Sequence, residues 1–531
     1  MKFNEHDFRS RRSVVMSRRA MAASSQPLAV EAAVNVLRSG GNAIDAAVTA
    51  TAVLSVVEPM STGIGGDCFA LIYLAKEQRL IGLNASGRAP RSASAEAILE
   101  RGLSKVPLEG PLSITVPGAL DGLGQCLASC GTITLQQALE PAIYYAEHGF
   151  PVTEVAAQLW NRTTPKLMRN TESARVYLPN GRAPQPGERF RNPDLARTLR
   201  LIAGQGIDVF YNGQLGASIA KAVGDLGGML SQEDLASRTS DWTEPVQTSY
   251  RGYDVIEMPP NNQGLTALMA LNIVEGFALS GMVHNSSEYL HCLIEAMKLA
   301  LQDGQTHIAD PSVPIQLTEL LSKSYAQRRR AEINSAAANS TSLRIQQSHS
   351  DTVYVAVVDE QRNVVSMISS LFKAFGSGIT VPGTGIVLQN RAAGFRLEPG
   401  HPNRWAPGKR PFHTIMPAMI MSDGQPWACF GAVGGLMQAQ AHLQLVCNLI
   451  DFDMNPQAAL DAPRFRVLED GQVAIEAGIS DTVQAKLAAL GHQLQSESTE
   501  EGFGGGQIIV ISGGALYGGS DPRKDGCAFG Y

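Results

Sequence analysis

The run Asp351-Thr352-Val353-Tyr354-Val355-Ala356-Val357-Val358-Asp359 constrains this chain more than any other segment. Between its two aspartates it is apolar at almost every position, so it reads as a strand that turns neither face to water. A sheet holding such a strand must be covered on both sides. A threonine heads the strand. β-Branched residues favour strands for packing reasons alone, and packing accounts for most threonines in such places. Cleavage of the bond before Thr352 would add a second use, because one residue would then carry both a hydroxyl nucleophile and an α-amine base. Free α-amines have pKa values of about 7.7–8.0. Near neutral pH part of the population could therefore take the hydroxyl proton, directly or through one water, with no histidine involved. Placing nucleophile and base on one residue also lowers the entropic part of the barrier. The stretch just upstream, about 333–351, is polar, rich in Ser, Ala, Asn and Gln, and has no apolar period. It reads as a flexible tail, which a newly cut chain end needs in order to leave a pocket.

Periodicity along the rest of the chain places a helix over 28–38, closed by Gly40-Gly41, and Asn42 as the cap of a second helix to about Ser55. The glycines of 63–66 are not followed by Gly-Lys-Ser/Thr and run into a strand over 68–74. They mark close backbone approach rather than a phosphate loop. The middle, about 95–340, reads as mainly helical. Strands over 352–358 and 364–370 flank Glu360-Gln361-Arg362-Asn363 as a hairpin. Further strands are expected at 385–389, 414–421, 427–431 and 507–512, with a helix near 437–450. Antiparallel strands covered by helices imply an α/β (α+β) sandwich of two stacked sheets between helical layers.

With 44% hydrophobic and 17% charged residues in 531, the chain has ample material for a large core. A net charge of −6 excludes the basic footprint of a nucleic-acid binder. Arg9-Ser10-Arg11-Arg12 faintly resembles a twin-arginine signal, but Met16-Ser17-Arg18-Arg19 interrupts any apolar stretch behind it. No run of 18 uncharged apolar residues suggests a membrane span, so the cytoplasm is the expected location. Seven scattered cysteines fit reduced, buried thiols. The ten histidines include no His-Glu-x-x-His and no group with zinc spacing, so no metal and no cofactor are expected.

A series of motifs resembles the γ-glutamyltranspeptidase family of N-terminal nucleophile hydrolases over roughly 10–531. It comprises Gly40-Gly41-Asn42-Ala43-Ile44-Asp45-Ala46-Ala47, Val57-Glu58-Pro59, Thr62-Gly63-Ile64-Gly65-Gly66-Asp67, Phe375-Gly376-Ser377-Gly378, Gly385-Ile386-Val387-Leu388-Gln389-Asn390, Lys409-Arg410-Pro411, Gly434-Gly435 and Asp521-Pro522-Arg523-Lys524-Asp525-Gly526. The resemblance implies a four-layer αββα sandwich, continuous across a self-made cut between Asp351 and Thr352. The products would be a large fragment, 1–351, and a small fragment, 352–531, held as a heterodimer able to pair again. It implies Thr352 as nucleophile and base, Ser370 as the hydroxyl that hydrogen-bonds it, and the N–H groups of Gly434 and Gly435 as the oxyanion site.

The same resemblance shows departures. The family's glutamyl-binding arginine aligns with Ser86, with Arg88 two residues on; its asparagine becomes Phe372, its acidic residue Gly394, and its serine pair His413-Thr414. A buried ammonium without a counter-charge is costly, so the pocket is not shaped for a γ-glutamyl group. The loop over 396–411 is short, which suggests no long lid. Arg88 first, then Arg391 and His413, are candidates to hold a small carboxylate bearing an amide, in a pocket narrowed by Phe372. The branch that looks most similar is oxamate amidohydrolase, which makes oxalate and ammonia in purine catabolism. Glutathione-type or glutaryl-type amides are the alternatives, and an uncleaved scaffold is the non-enzymatic one. A small-molecule amide and water are the expected partners, with no nucleic acid and no membrane.

Overall fold

The computed structural model describes residues 12–338, 351–468, 470–496 and 500–531. Most of the tail expected over 333–351 lies outside the described residues. In chain order the main strands are β1 (Val15–Ser17), β2 (Met21–Ser24), β3 (Asp67–Leu74), β4 (Arg79–Ala85), β5 (Asp241–Thr243), β6 (Val246–Tyr250) and β7 (Tyr253–Glu257). From the threonine onward come β8 (Asp351–Val358), β9 (Val364–Phe372), β10 (Ala418–Ser422), β11 (Gln425–Val433), β12 (Gly505–Ser512), β13 (Ala515–Ser520) and β14 (Cys527–Gly530). They form two seven-stranded sheets, β14-β2-β8-β9-β3-β4-β5 and β1-β13-β12-β11-β10-β7-β6. The helices used below are α1 (Pro27–Arg38), α2 (Ala43–Val57), α3 (Gly264–Val274), α4 (Ser287–His307) and α5 (Met437–Ile450).

Side-chain alternation along β8 explains the layering. Val353, Val355 and Val357 point one way, into a core shared with α1 and α2. Tyr354, Ala356 and Val358 point the other way, against Met419, Cys429 and Ile509 of the second sheet. Beyond that sheet, Phe430 and Val510 join α3, α4 and α5. Helix, sheet, sheet and helix follow in that order, the αββα sandwich. Every residue of α2 is buried, which its Ala- and Val-rich sequence permits on all sides. Asn42 caps it, accepting from the N–H groups of Ile44 and Asp45, while Asp45 reaches back to the Asn42 N–H. Strands from both sides of Thr352 interleave in each sheet, so neither half holds a complete core.

Three expectations need correction. Residues 385–389 form no strand, only an isolated bridge between Thr380 and Val387. Gly385 is left-handed at φ +69 there, and the Gln389 backbone N–H donates to the Gly65 carbonyl in a loop rather than to a neighbouring strand. The strand expected from 414 starts at Ala418, because Pro417 has no N–H to give a sheet. The helical middle also contributes β5, β6 and β7. Its hairpin turns on Arg251 (φ +51) and Gly252 (φ +89), the left-handed pair of a two-residue turn. Among the described residues no helix is long and apolar enough to cross a membrane.

The Glu58 and Lys524 motifs, far apart in sequence, meet in the core. Burial lifts the Glu58 carboxyl from 4.5 to about 7, against the opposing pull of Lys524 and a hydrogen bond from Ser25. Between those two values the native chain holds a proton that the unfolded chain releases, so this group's contribution to stability is lost as pH rises through about 7. Glu58→Gln removes that dependence. Denaturant melts at pH 5 and pH 8 should show the gap between variant and parent moving in the variant's favour by up to about 3 kcal/mol. A gap that does not change with pH would contradict this.

Candidate active site

Thr352 is fully buried on the inter-sheet face of β8. The ladder is irregular at this point: Asp351 pairs with Phe372 and Val353 with Ser369, so Ser370 and Leu371 together stand opposite Thr352. Such a bulge re-aims side chains beside a functional site. Thr352 Oγ1 donates to Ser370 Oγ at 3.1 Å, and the Phe372 N–H donates to the same oxygen at 2.7 Å. Ser370 thus holds the threonine hydroxyl in one orientation. Gly66 packs against this point, where a Cβ would lie 2.5 Å from the Ser370 carbonyl oxygen. That is the close approach expected for the 63–66 glycines.

Gly434 and Gly435 link β11 to α5 with φ of +120 and +65, a conformation that costs other residues strain. Their N–H groups stand at the start of the 14-residue α5, the electropositive end of its macrodipole. Gln263 Nε2 braces the turn by donating to the Gly435 carbonyl at 2.9 Å.

Beside this turn lies a cavity of about 70 Å³. Its buried floor is Phe372, Thr414 and Gly435; Arg396, His401 and Leu436 stand nearer solvent. Arg391 lies behind the floor, fully buried. Its Nη1 donates to Thr414 Oγ1 at 2.9 Å, and its guanidinium covers the Phe372 ring at 4.2 Å. Its Nε and Nη2 have no hydrogen-bond partner, the nearest carboxylate oxygen being Asp67 Oδ2, 4.0 Å from Nε. Burial lowers the guanidinium to about 9, which leaves it charged at neutral pH. Phe372 itself is left-handed at φ +79, a strained state that sets its ring between Arg391 and Lys373.

Two expected substrate contacts are placed elsewhere. Arg88 donates to the Gly408 carbonyl and to Asp241, and lies 3.8 Å from Asp310; it borders a different cavity. His413 Nε2 is 3.0 Å from Asp67 Oδ2, and its Nδ1 accepts from the Ile415 N–H. The ring is therefore neutral with its proton on Nε2, and burial, reinforced by Arg391, drops its pKa to about 3. Its Nε2–H is thus spent on Asp67. Asp67 and Gln389 stand in the quoted motifs, but nothing in the sequence signals that they meet here. Asp67 Oδ1 accepts from the Gly87 N–H at 2.8 Å and from Gln389.

The absence of zinc spacing also hid a buried trio, His291, Glu295 and His492. Lys298 donates to Glu295 at 2.9 Å, and the two rings are hydrogen-bonded at 2.8 Å. An ammonium thus already supplies the positive charge beside that carboxylate.

The chain matches the Gamma-glutamyltranspeptidase family model over residues 29–531. It belongs to the γ-glutamyltranspeptidase family. Its relatives include the glutathione hydrolase-like YwrD proenzyme of Bacillus subtilis (strain 168), 37% identical over 97% of this chain and 99% of that protein. The oxamate amidohydrolase proenzyme of Klebsiella pneumoniae is 33% identical over 97% of this chain and 99% of that one. The crystal structure of cephalosporin acylase from Bacillus halodurans superposes with a TM-score of 0.92 at 42% identity, covering 98% of this chain and 97% of that one. The protein is an amide-hydrolysing enzyme with the N-terminal nucleophile fold.

Seen in this γ-glutamyltranspeptidase frame, the departures have physical causes. Ser86, at the aligned arginine's place, is taken up by Asn84 and Arg410. At Gly394 a Cβ would lie 2.9 Å from the Phe412 carbonyl oxygen, so this backbone leaves no room for an acidic side chain.

Proposed function

We propose that the chain cuts itself between Asp351 and Thr352 and then hydrolyses amides whose acyl half carries a carboxylate and no α-amine. In maturation Thr352 Oγ1 attacks the Asp351 carbonyl and the peptide nitrogen leaves as the Thr352 α-amine; water hydrolyses the resulting ester. The fragments 1–351 and 352–531 stay associated, because strands of both are hydrogen-bonded neighbours in each sheet. In turnover the α-amine takes the hydroxyl proton, Oγ1 attacks the substrate amide, and the amine departs with a proton. Water then releases the acid from the ester. The Gly434 and Gly435 N–H groups receive the tetrahedral oxyanion, each worth roughly 3 kcal/mol at the transition state.

The observation that carries the substrate class is Arg391, a buried guanidinium with two unpartnered nitrogens behind the Phe372–Thr414 floor. A carboxylate there would supply the missing acceptors. Oxamate is the smallest amide of this class and our favoured candidate, giving oxalate and ammonia. The likeness to a cephalosporin acylase and the short 396–411 loop support a second reading, a glutaryl-type amide. A panel of oxamate, glutaryl anilide and γ-glutamyl anilide, followed by ammonia or aniline release, tests both. kcat/KM for one of the first two should exceed that for the γ-glutamyl compound by at least about 100-fold, the cost of burying an unpaired ammonium. A γ-glutamyl preference would overturn this reading and leave Thr352 as nucleophile.

A further inference from the structure

Three consecutive amides, Asn261, Asn262 and Gln263, run into the start of α3 and are fully buried. They hold the segment that forms part of the cavity floor. The Asn261 side chain donates to the Pro411 carbonyl at 2.7 Å, and the Asn262 side chain donates to that of Ile415. The main chains pair as well. The His413 N–H donates to the Asn261 carbonyl at 2.8 Å, and the Gln263 N–H donates to the His413 carbonyl at 3.0 Å. The Gln263 side chain spans two parts of the site. Its Nε2 donates to the Thr414 carbonyl and, at 2.9 Å, to the Gly435 carbonyl, so both of its hydrogens are spent. Turning the amide over would set its oxygen against two carbonyl oxygens, which fixes its orientation. Thr414 belongs to the floor that carries Arg391, Gly435 belongs to the turn before α5, and both line the cavity.

We propose that Gln263 is a positioning residue that fixes the separation between the oxyanion turn and the acyl floor, and with it the length of acyl group the enzyme accepts. This rests on the reading above, in which the substrate carboxylate lies beside Arg391 and the amide carbonyl at Gly434–Gly435. A substrate must reach both places at once, so the span between them acts as a gauge. Two successive left-handed glycines have wide conformational freedom. The Gly434 carbonyl accepts from the Met437 N–H at 3.1 Å, a bond within the turn itself. Gln263 instead ties the turn to a segment outside α5. Without that tie the turn and the floor shift independently. The carboxylate still binds, but the carbonyl no longer meets both N–H groups, and a misplacement of about 1 Å can cost about 100-fold in rate.

The test replaces Gln263 in the full chain and follows the matured enzyme, its fragments verified by intact mass. Gln263→Met keeps the length of the side chain and removes both donors. With oxalyl anilide and glutaryl anilide as substrates, kcat for the one the parent prefers should fall about 30-fold. That is short of the roughly 100-fold or more that loss of an oxyanion donor costs. KM should change by less than about twofold, because the interaction is made in the transition state. The ratio of kcat/KM between the two anilides should move toward one by at least about fivefold. Gln263→Glu, protonated when buried and left with one donor for two carbonyls, should fall between parent and methionine variant. A structural role alone would scale both substrates equally. An unaltered ratio therefore overturns the proposal, as does an unaltered kcat or the failure of both variants to mature. A parent that prefers γ-glutamyl anilide fails the acyl reading alone, and the same kcat loss on that substrate would still uphold Gln263.

Discussion

Thr352→Ala should be recovered as a single 531-residue chain with no amidase activity. The same hydroxyl attacks the Asp351 carbonyl in maturation and the substrate in turnover, and nothing else on the bulge can replace it. Ser370 is held as the acceptor of Thr352 Oγ1 and of the Phe372 N–H, so it is oriented to hold the nucleophile rather than to become one. The loss in kcat should be at least about 10⁴-fold, the scale seen when a nucleophile is removed. Thr352→Ser should keep part of both activities, because the hydroxyl survives while the methyl that fixes its rotamer is lost. Intact mass separates the outcomes: normal fragments of 351 and 180 residues from the alanine variant would sink the assignment.

The second large effect concerns which arginine holds the substrate. Arg391→Gln should lower kcat/KM for the anionic amide by about 100-fold, since two charge-assisted hydrogen bonds in a buried site are lost. Self-cleavage should proceed, because Arg391 makes no described hydrogen bond to Thr352 or Ser370. Arg391→Lys should recover only a fraction, because an ammonium cannot present a planar fork of donors. Arg88→Ala should change the same parameter by less than about threefold, its partly exposed ion pairs being worth little. The reverse ranking, with Arg88 the costlier loss, would return the carboxylate to the place suggested by sequence order.

The contrast between these arginines shows how far the sequence reaches. Thr352 was legible because its strand is apolar on both faces, a local pattern that a buried central strand requires. Gly434-Gly435 and Asn42 were legible for a similar reason, since a tight strand-to-helix turn and a helix cap each leave a short, local signature. The αββα layering followed from strand alternation and helix period together.

The roles of Arg88, Arg391 and His413 were not legible, because each depends on partners far away in the chain. Asp241 and Asp310 claim Arg88, and Asp67 claims His413; Arg391, hidden behind Phe372, is left with two open donors. The trio His291–Glu295–His492 joins residues some 200 positions apart, beyond any spacing rule. Local sequence thus determined the strand, the threonine at its head and the class of fold. Only the tertiary packing decided which charges are already paired and which donors are left without a partner.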